Sequence, residues 1–268
     1  MLDLQISLII ALTFLINLIG SLAYSVRIAG IRTRRIAVSF SMFNILMLIS
    51  RTANAFQAPL LAKRIETNLI AGATVGALID FRFLLASASV ATIVGALMTP
   101  TCQRLFARAA SAFNVTRSVP RLVLRACSPA GLAHVRDALT LPAAGNVTAL
   151  ADMKTVSMPV IAVNVIATAT WTVGVFAAMY AGYLAPELRA TASNLSGIIN
   201  GISTILLFVI VDPYLSTLTD DVVDGRASEA AFRRTVVWLL GSRLAGTLLA
   251  QVVLVPAAHI IAGAAQFL

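Results

Sequence analysis

Six apolar blocks, each about the length a helix needs to cross a ~30 Å hydrocarbon layer, constrain this chain more than any other feature. They run Leu4–Tyr24, Ile36–Leu61, Leu78–Met98, Val156–Leu184, Leu195–Val211 and Val236–Ala262. No soluble core has room for that much uninterrupted apolar helix. Charge is correspondingly sparse, at 12% of residues against the roughly one quarter of a soluble domain. The pattern predicts an all-α, polytopic membrane protein, a single transmembrane domain over residues 1–268. The apolar segment Leu69–Ala77 either extends the third span or forms a short re-entrant piece. Met1-Leu2-Asp3 lacks a positive leader, so the first block is expected to stay as a span and not to be cleaved as a signal peptide.

The net charge of +9 would suggest nucleic acid in a soluble protein. Here the charge sits between apolar blocks, so the partner is a membrane surface. Arg27, Arg32, Arg34 and Arg35 follow the first span. Arg104, Arg108, Arg117, Arg121, Arg125, Arg136 and Lys154 follow the third, and Arg226, Arg233 and Arg234 the fifth. The other side receives only Lys63, Arg64 and Arg189, with Arg51 if it is not intramembrane. The positive-inside rule then puts these odd loops in the cytoplasm and both termini outside.

The third loop, residues 99–155, reads as a basic cytoplasmic segment with interfacial helices. Arg117, Arg121 and Arg125 recur every four residues and form one basic stripe on a helix, suited to lipid phosphates. A solvated connector fits the same residues. In the fifth loop, Asp212-Pro213 reads as an N-cap and first helical residue. Asp220, Asp221 and Asp224 then form a solvated helix face ending at Gly225, since their spacing fits no calcium loop.

Catalytic and cofactor signatures are missing from the sequence. Cys102 and Cys127 are too far apart for a metal or redox motif, and His134 and His259 are isolated. There is no Walker motif, dinucleotide fingerprint or GxSxG. The reading is a transporter without cofactor or metal, not an enzyme.

Chemistry is left to the polar residues within the spans. Thr13, Asn17 and Ser21 recur every four residues, as do Asn164, Thr168 and Thr172, and Arg243, Thr247 and Gln251. Asn200 and Thr204 repeat the offset, and Asn44, Arg51 and Asn54 are separated by seven and three. Such offsets put residues on one helical face. Each neutral member could equally bond its own preceding turn or join two helices. The arginines are harder to satisfy. Arg243 and Arg51 can snorkel toward opposite faces. Arg82 lies two residues after Asp80, about 200° around a helix, so each needs its own partner. Together the stripes describe a cationic, hydrated cavity for an anion with a polar headgroup. Gly72–Gly76 and Gly197–Gly201 have the spacing of close helix contacts, within or between chains. Pro256 is expected to kink the last span.

Three long stretches carry a resemblance. "AYSVRIAGIRTRRIAVSFSMFNILMLISRTANAFQAPLL", "PTCQRLF" and "RATASNLSGIINGISTILLFVIVDPYLSTLTDDVVDGR" are similar to the Amj (alternate MurJ) family of bacterial lipid II flippases. The likeness covers essentially the whole chain and is weakest between Arg104 and Lys154. It implies a multi-pass protein of the bacterial cytoplasmic membrane that moves the undecaprenyl-linked peptidoglycan precursor from inner to outer leaflet. It transfers no functional residues.

The candidate substrate contacts therefore come from the stripes: Arg51 and Arg82 as phosphate ligands, Arg243 and Arg27 as inner-side contacts, and Asn54 as a headgroup donor. Asp80 is a candidate proton-linked group. Arg27 and Arg34, seven residues apart, would align at the inner mouth of a continued helix. The expected partners are lipid II and membrane lipids, a second copy in a homodimer, and cell-wall synthesis enzymes. A non-transporting scaffold for those enzymes, and an anion or small-solute channel, remain the alternatives.

Overall fold

A computed structural model describes residues 3–72, 76–116, 128, 136–140, 142 and 156–268. Among these residues, six helical segments are long and apolar enough to cross a bilayer. The first three are α1 (Leu4–Thr33), α2 (Ile36–Ile70) and α3 (Ala77–Thr116). The fourth is α4 (Met158–Leu184). The fifth combines a 3₁₀ turn (Pro186–Leu188), α5 (Arg189–Leu206), a π-helical segment (Leu207–Val211) and α6 (Asp212–Val223). The sixth is α7 (Glu229–Phe267).

Most of these helices outrun their apolar blocks, because a helix satisfies its own backbone and continues where the side chains turn polar. α1 starts where the Asp3 carboxylate accepts from the Ile6 N–H at 2.8 Å. It ends at Arg34, whose backbone is left-handed at φ 53° and reverses the chain into α2. That tight turn makes α1 and α2 antiparallel neighbours. Arg35 ties the turn to α3 by donating to the Ala110 carbonyl at 3.0 Å.

Several local expectations change. Leu69 and Ile70 are the last residues of α2, a turn at Ala71–Gly72 follows, and α3 begins at Ala77; residues 73–75 lie outside the described residues. Gly72 and Gly76 have positive φ of 64° and 101° and face open space, so they serve the turn and not a helix contact. Asp212 caps no helix with its side chain. The fifth span runs straight through Asp212-Pro213, and the Asp212 N–H bonds back five residues to the Leu207 carbonyl. That widened turn accommodates the ring and missing donor of Pro213, which would otherwise break the helix. Pro256 lies inside α7, which is continuous from Glu229 to Phe267 and so leaves the expected kink untouched. The chain Asp220-Asp221-Asp224 does end a helix at Gly225, φ 78°, and Arg226 pairs with Asp221 at 2.8 Å and Asp224 at 2.7 Å. The stripe Arg117–Arg121–Arg125, Cys127 and most of the third loop lie outside the described residues.

Two packed groups build the bundle. α1 lies along α3 and α2, α4 lies along α7 and α5, and α3 against α7 joins them. Lipid is as apolar as leucine, so close approach and hydrogen bonding hold these helices together. Gly95 meets Ser21, and Gly246 meets the backbone of Val165 and Ala169. Two apolar cores result. One gathers Ile6, Ile9, Leu61, Leu84, Phe176 and Leu254, and the other Ile28, Val160, Val211, Phe232 and Leu239. α1, α4 and α7 each contribute to both cores and also to the wall of a pocket.

Candidate functional site

The pocket has a volume of about 180 Å³ and takes wall residues from α1, α2, α4, the fifth span and α7. α1 supplies Gly20, Tyr24 and Arg27, and α2 supplies Phe43, Ser50, Arg51 and Asn54. Thr168 and Trp171 come from α4, Thr204, Phe208 and Asp212 from the fifth span, and Arg243 from α7. α2 and the fifth span are the two least buried spans and do not pack extensively against each other. The pocket walls on α2 and the fifth span are therefore the ones the bundle covers least.

Arg243 stands about 21 Å along α7 from its start, at 1.5 Å per residue. It does not snorkel. Gly20 on α1 leaves the room its guanidinium occupies, since a β-carbon there would fall 2.8 Å from the Arg243 Cζ. No carboxylate ion-pairs with Arg243 among the described residues, and its Nε is buried without a hydrogen-bond partner. Arg51 lies about 22 Å into α2, exposed toward the pocket and the lipid, and forms no ion pair among the described residues.

Arg27 is held differently. Its Nη2 donates to Asp212 Oδ1 at 2.6 Å, and its Cζ lies 5.5 Å from the ring centres of both Phe40 and Phe43. Its Nη1 is buried without a partner. Thr168 Oγ1 is another buried, unpartnered polar atom on the wall. Three guanidiniums with spare donors, one carboxylate and several hydroxyls make a site suited to a phosphate ester with a hydroxylated or amide headgroup.

Four of the sequence candidates, Arg27, Arg51, Asn54 and Arg243, thus come together. Arg82 does not. Its side chain is exposed outside the pocket, and its carbonyl accepts from Gln251 at 2.9 Å. Asp80 also lies away, paired with Arg64 of α2 through two bonds of 2.9 and 2.7 Å, so its partner does come from another span. Arg34 leaves the helix at the αL turn, so it cannot align with Arg27. Among the stripes, Thr13, Asn17 and Ser21 bond their own preceding turns. Asn164 joins helices, donating to the Leu239 carbonyl at 3.1 Å and Ser242 Oγ at 2.7 Å.

Asp212, Tyr24 and Trp171 went unrecognised in the sequence. A carboxylate ending the fifth apolar block was a signal for Asp212, but the following proline made it look like a cap. The aromatic residues carry no periodic signal of their own.

The Amj family, described as "Alternate to MurJ", matches residues 12–265. The chain belongs to the Amj family. It is 37% identical to the lipid II flippase Amj of Bacillus subtilis (strain 168) over 268 residues, covering 96% of both chains. No solved structure matches it. The family assignment and the six apolar spans fit a multi-pass membrane transporter.

Proposed function

We propose that this chain is a lipid II flippase of the bacterial cytoplasmic membrane, and that the pocket receives the pyrophosphate of its substrate. The observation that carries the reading is the placement of Arg243 and Arg51 deep in their spans without a carboxylate partner among the described residues. An unpaired cation at that depth is costly, and a lipid phosphate arriving from the side compensates it. Arg27, Arg51 and Arg243 bind the pyrophosphate, and Asn54, Thr168 and Thr204 meet the sugar. The isoprenoid tail stays in lipid between α2 and the fifth span. The name of the Bacillus subtilis relative supports the substrate.

The end bearing Arg32, Arg34 and Arg35 faces the cytoplasm and both termini face outward. Outward movement of the anionic headgroup is then favoured by an inside-negative potential, at about 2.3 kcal/mol per charge per 100 mV. Gly197 and Gly201 lie on a face of α5 with nothing packed against them, which supports a homodimer through the fifth spans. Cell-wall synthesis enzymes are the partners that consume the flipped precursor. Reporters fused after Arg35 and near Lys63 test the orientation: cytoplasmic signal is expected from the first and external signal from the second, and the reverse would overturn it. For the function, expression of this gene alone in cells lacking their own flippase should restore lipid II in the outer leaflet. Continued accumulation in the inner leaflet, with the protein present, would refute the assignment.

A further inference from the structure

A pocket of about 180 Å³ is small beside the roughly 300–1,000 Å³ of ordinary ligand sites, so a sugar–peptide headgroup needs it to widen. We propose that Asp212 is the resident counter-anion of Arg27, that the substrate's pyrophosphate displaces it, and that the displacement frees the fifth span from α1. This rests on the pocket being the pyrophosphate site.

The Arg27–Asp212 bond links α1 to the fifth span, and both residues face the pocket. Arg27 has contacts besides Asp212, because the rings of Phe40 and Phe43 on α2 each lie 5.5 Å from its Cζ. It can exchange one anion for another without moving. Its buried, unpartnered Nη1 is a spare donor that a phosphate can use once the pocket widens. Asp212 by contrast sits on the least buried span, immediately after the π-helical segment whose Leu207, Phe208 and Val211 line the pocket. π segments inside helices occur frequently at functional sites.

Charge supports the exchange. Arg27, Arg51 and Arg243 against Asp212 leave two uncompensated positive charges. A pyrophosphate diester brings two negative ones. The loaded pocket is therefore neutral with Asp212 still ionised, and the exchange needs no proton.

The test uses the full chain in lipid nanodiscs, with Cys102 and Cys127 replaced by serine and spin labels at Leu15→Cys on α1 and Ile205→Cys on α5. Both positions are exposed. Undecaprenyl pyrophosphate should lengthen the distance between the labels, and uncharged undecaprenol should not. In Asp212→Asn the longer distance should be populated without ligand, and undecaprenyl pyrophosphate should bind roughly tenfold tighter, the scale of coupling between linked sites. Flipping by this variant should fall, because the ligand is no longer exchanged off Arg27. An unchanged distance in the wild-type chain with undecaprenyl pyrophosphate bound overturns the proposal even if Asp212→Asn fails to accumulate. Arg243→Gln separates the two levels. If it binds the pyrophosphate lipid as the wild type does, the site itself is misplaced. If it loses binding while Asp212→Asn matches wild type in affinity and distance, only the tie is wrong.

Discussion

Arg64 on α2 donates twice to one oxygen of Asp80 on α3, at 2.9 and 2.7 Å, and once to Asp3 ahead of α1, at 2.7 Å. The side chain is largely shielded, at 13% exposure, so this three-way tie fastens the end of the bundle opposite the basic turn. Nearby, Asn68 donates to the Tyr183 hydroxyl at 3.0 Å. Arg64→Ala strands two carboxylates and should cost roughly 1–3 kcal/mol, between exposed and buried pairs. Denaturation in mixed micelles measures it, and Arg64→Lys should recover only part.

The same tie carries an acid dependence. The Ile6 N–H and the Arg64 guanidinium hold the Asp3 carboxyl below the ordinary carboxylate range. A lowered folded-state value means its contribution is present above the unfolded value and lost as pH falls through the folded one. Asp3 is half exposed, so the effect is small. Melting temperature should fall less on acidification for Asp3→Asn than for the unaltered chain. Equal slopes for the two would show that Asp3 contributes nothing.

At Gly246, α7 packs directly against the backbone of α4. A β-carbon there would lie 2.7 Å from the Val165 carbonyl and 3.1 Å from the Ala169 nitrogen, backbone atoms that cannot swing aside. Gly246→Ala should lose roughly 1–3 kcal/mol, the range of overpacking. Gly241, five residues earlier, faces open space, and Gly241→Ala should be neutral or slightly stabilising. Paired unfolding curves check the contrast.

Gly20→Ala probes the site without touching a charge. Its methyl would overlap the Arg243 guanidinium, the far end of a flexible side chain, so the fold accommodates the change and the arginine is displaced. Abundance and melting should stay near wild type while flipping falls about tenfold, the equivalent of ~1.4 kcal/mol. Loss of abundance in step with activity would instead mark Gly20 as a packing residue.

The spans were legible because hydropathy blocks report helices that bilayers require. Arg51, Arg243 and Asn54 were legible as a polar face, since offsets of three and four survive in any helix. What periodicity cannot supply is rotation about the helix axis. Thr13 and Asn17 share a face as regular as that of Arg51, yet spend their donors on their own turns. Arg82 and Arg243 looked alike in sequence, and only the placement of Gly20 opposite one of them separates exposed surface from pocket wall. Asp212 was hidden by Pro213, because a proline after an aspartate marks a helix start far more often than a π-helical passage.

If the pocket cations carry the substrate headgroup across, outer-leaflet lipid II in cells whose sole flippase is this chain should depend on them, in a comparison of wild type, Arg51→Gln, Arg243→Gln and the exposed Arg82→Gln. At matched abundance, wild type and Arg82→Gln should restore outer-leaflet lipid II, and Arg51→Gln and Arg243→Gln should leave it accumulated in the inner leaflet. Full restoration by both pocket variants, or failure confined to Arg82→Gln, would contradict that role of the cations.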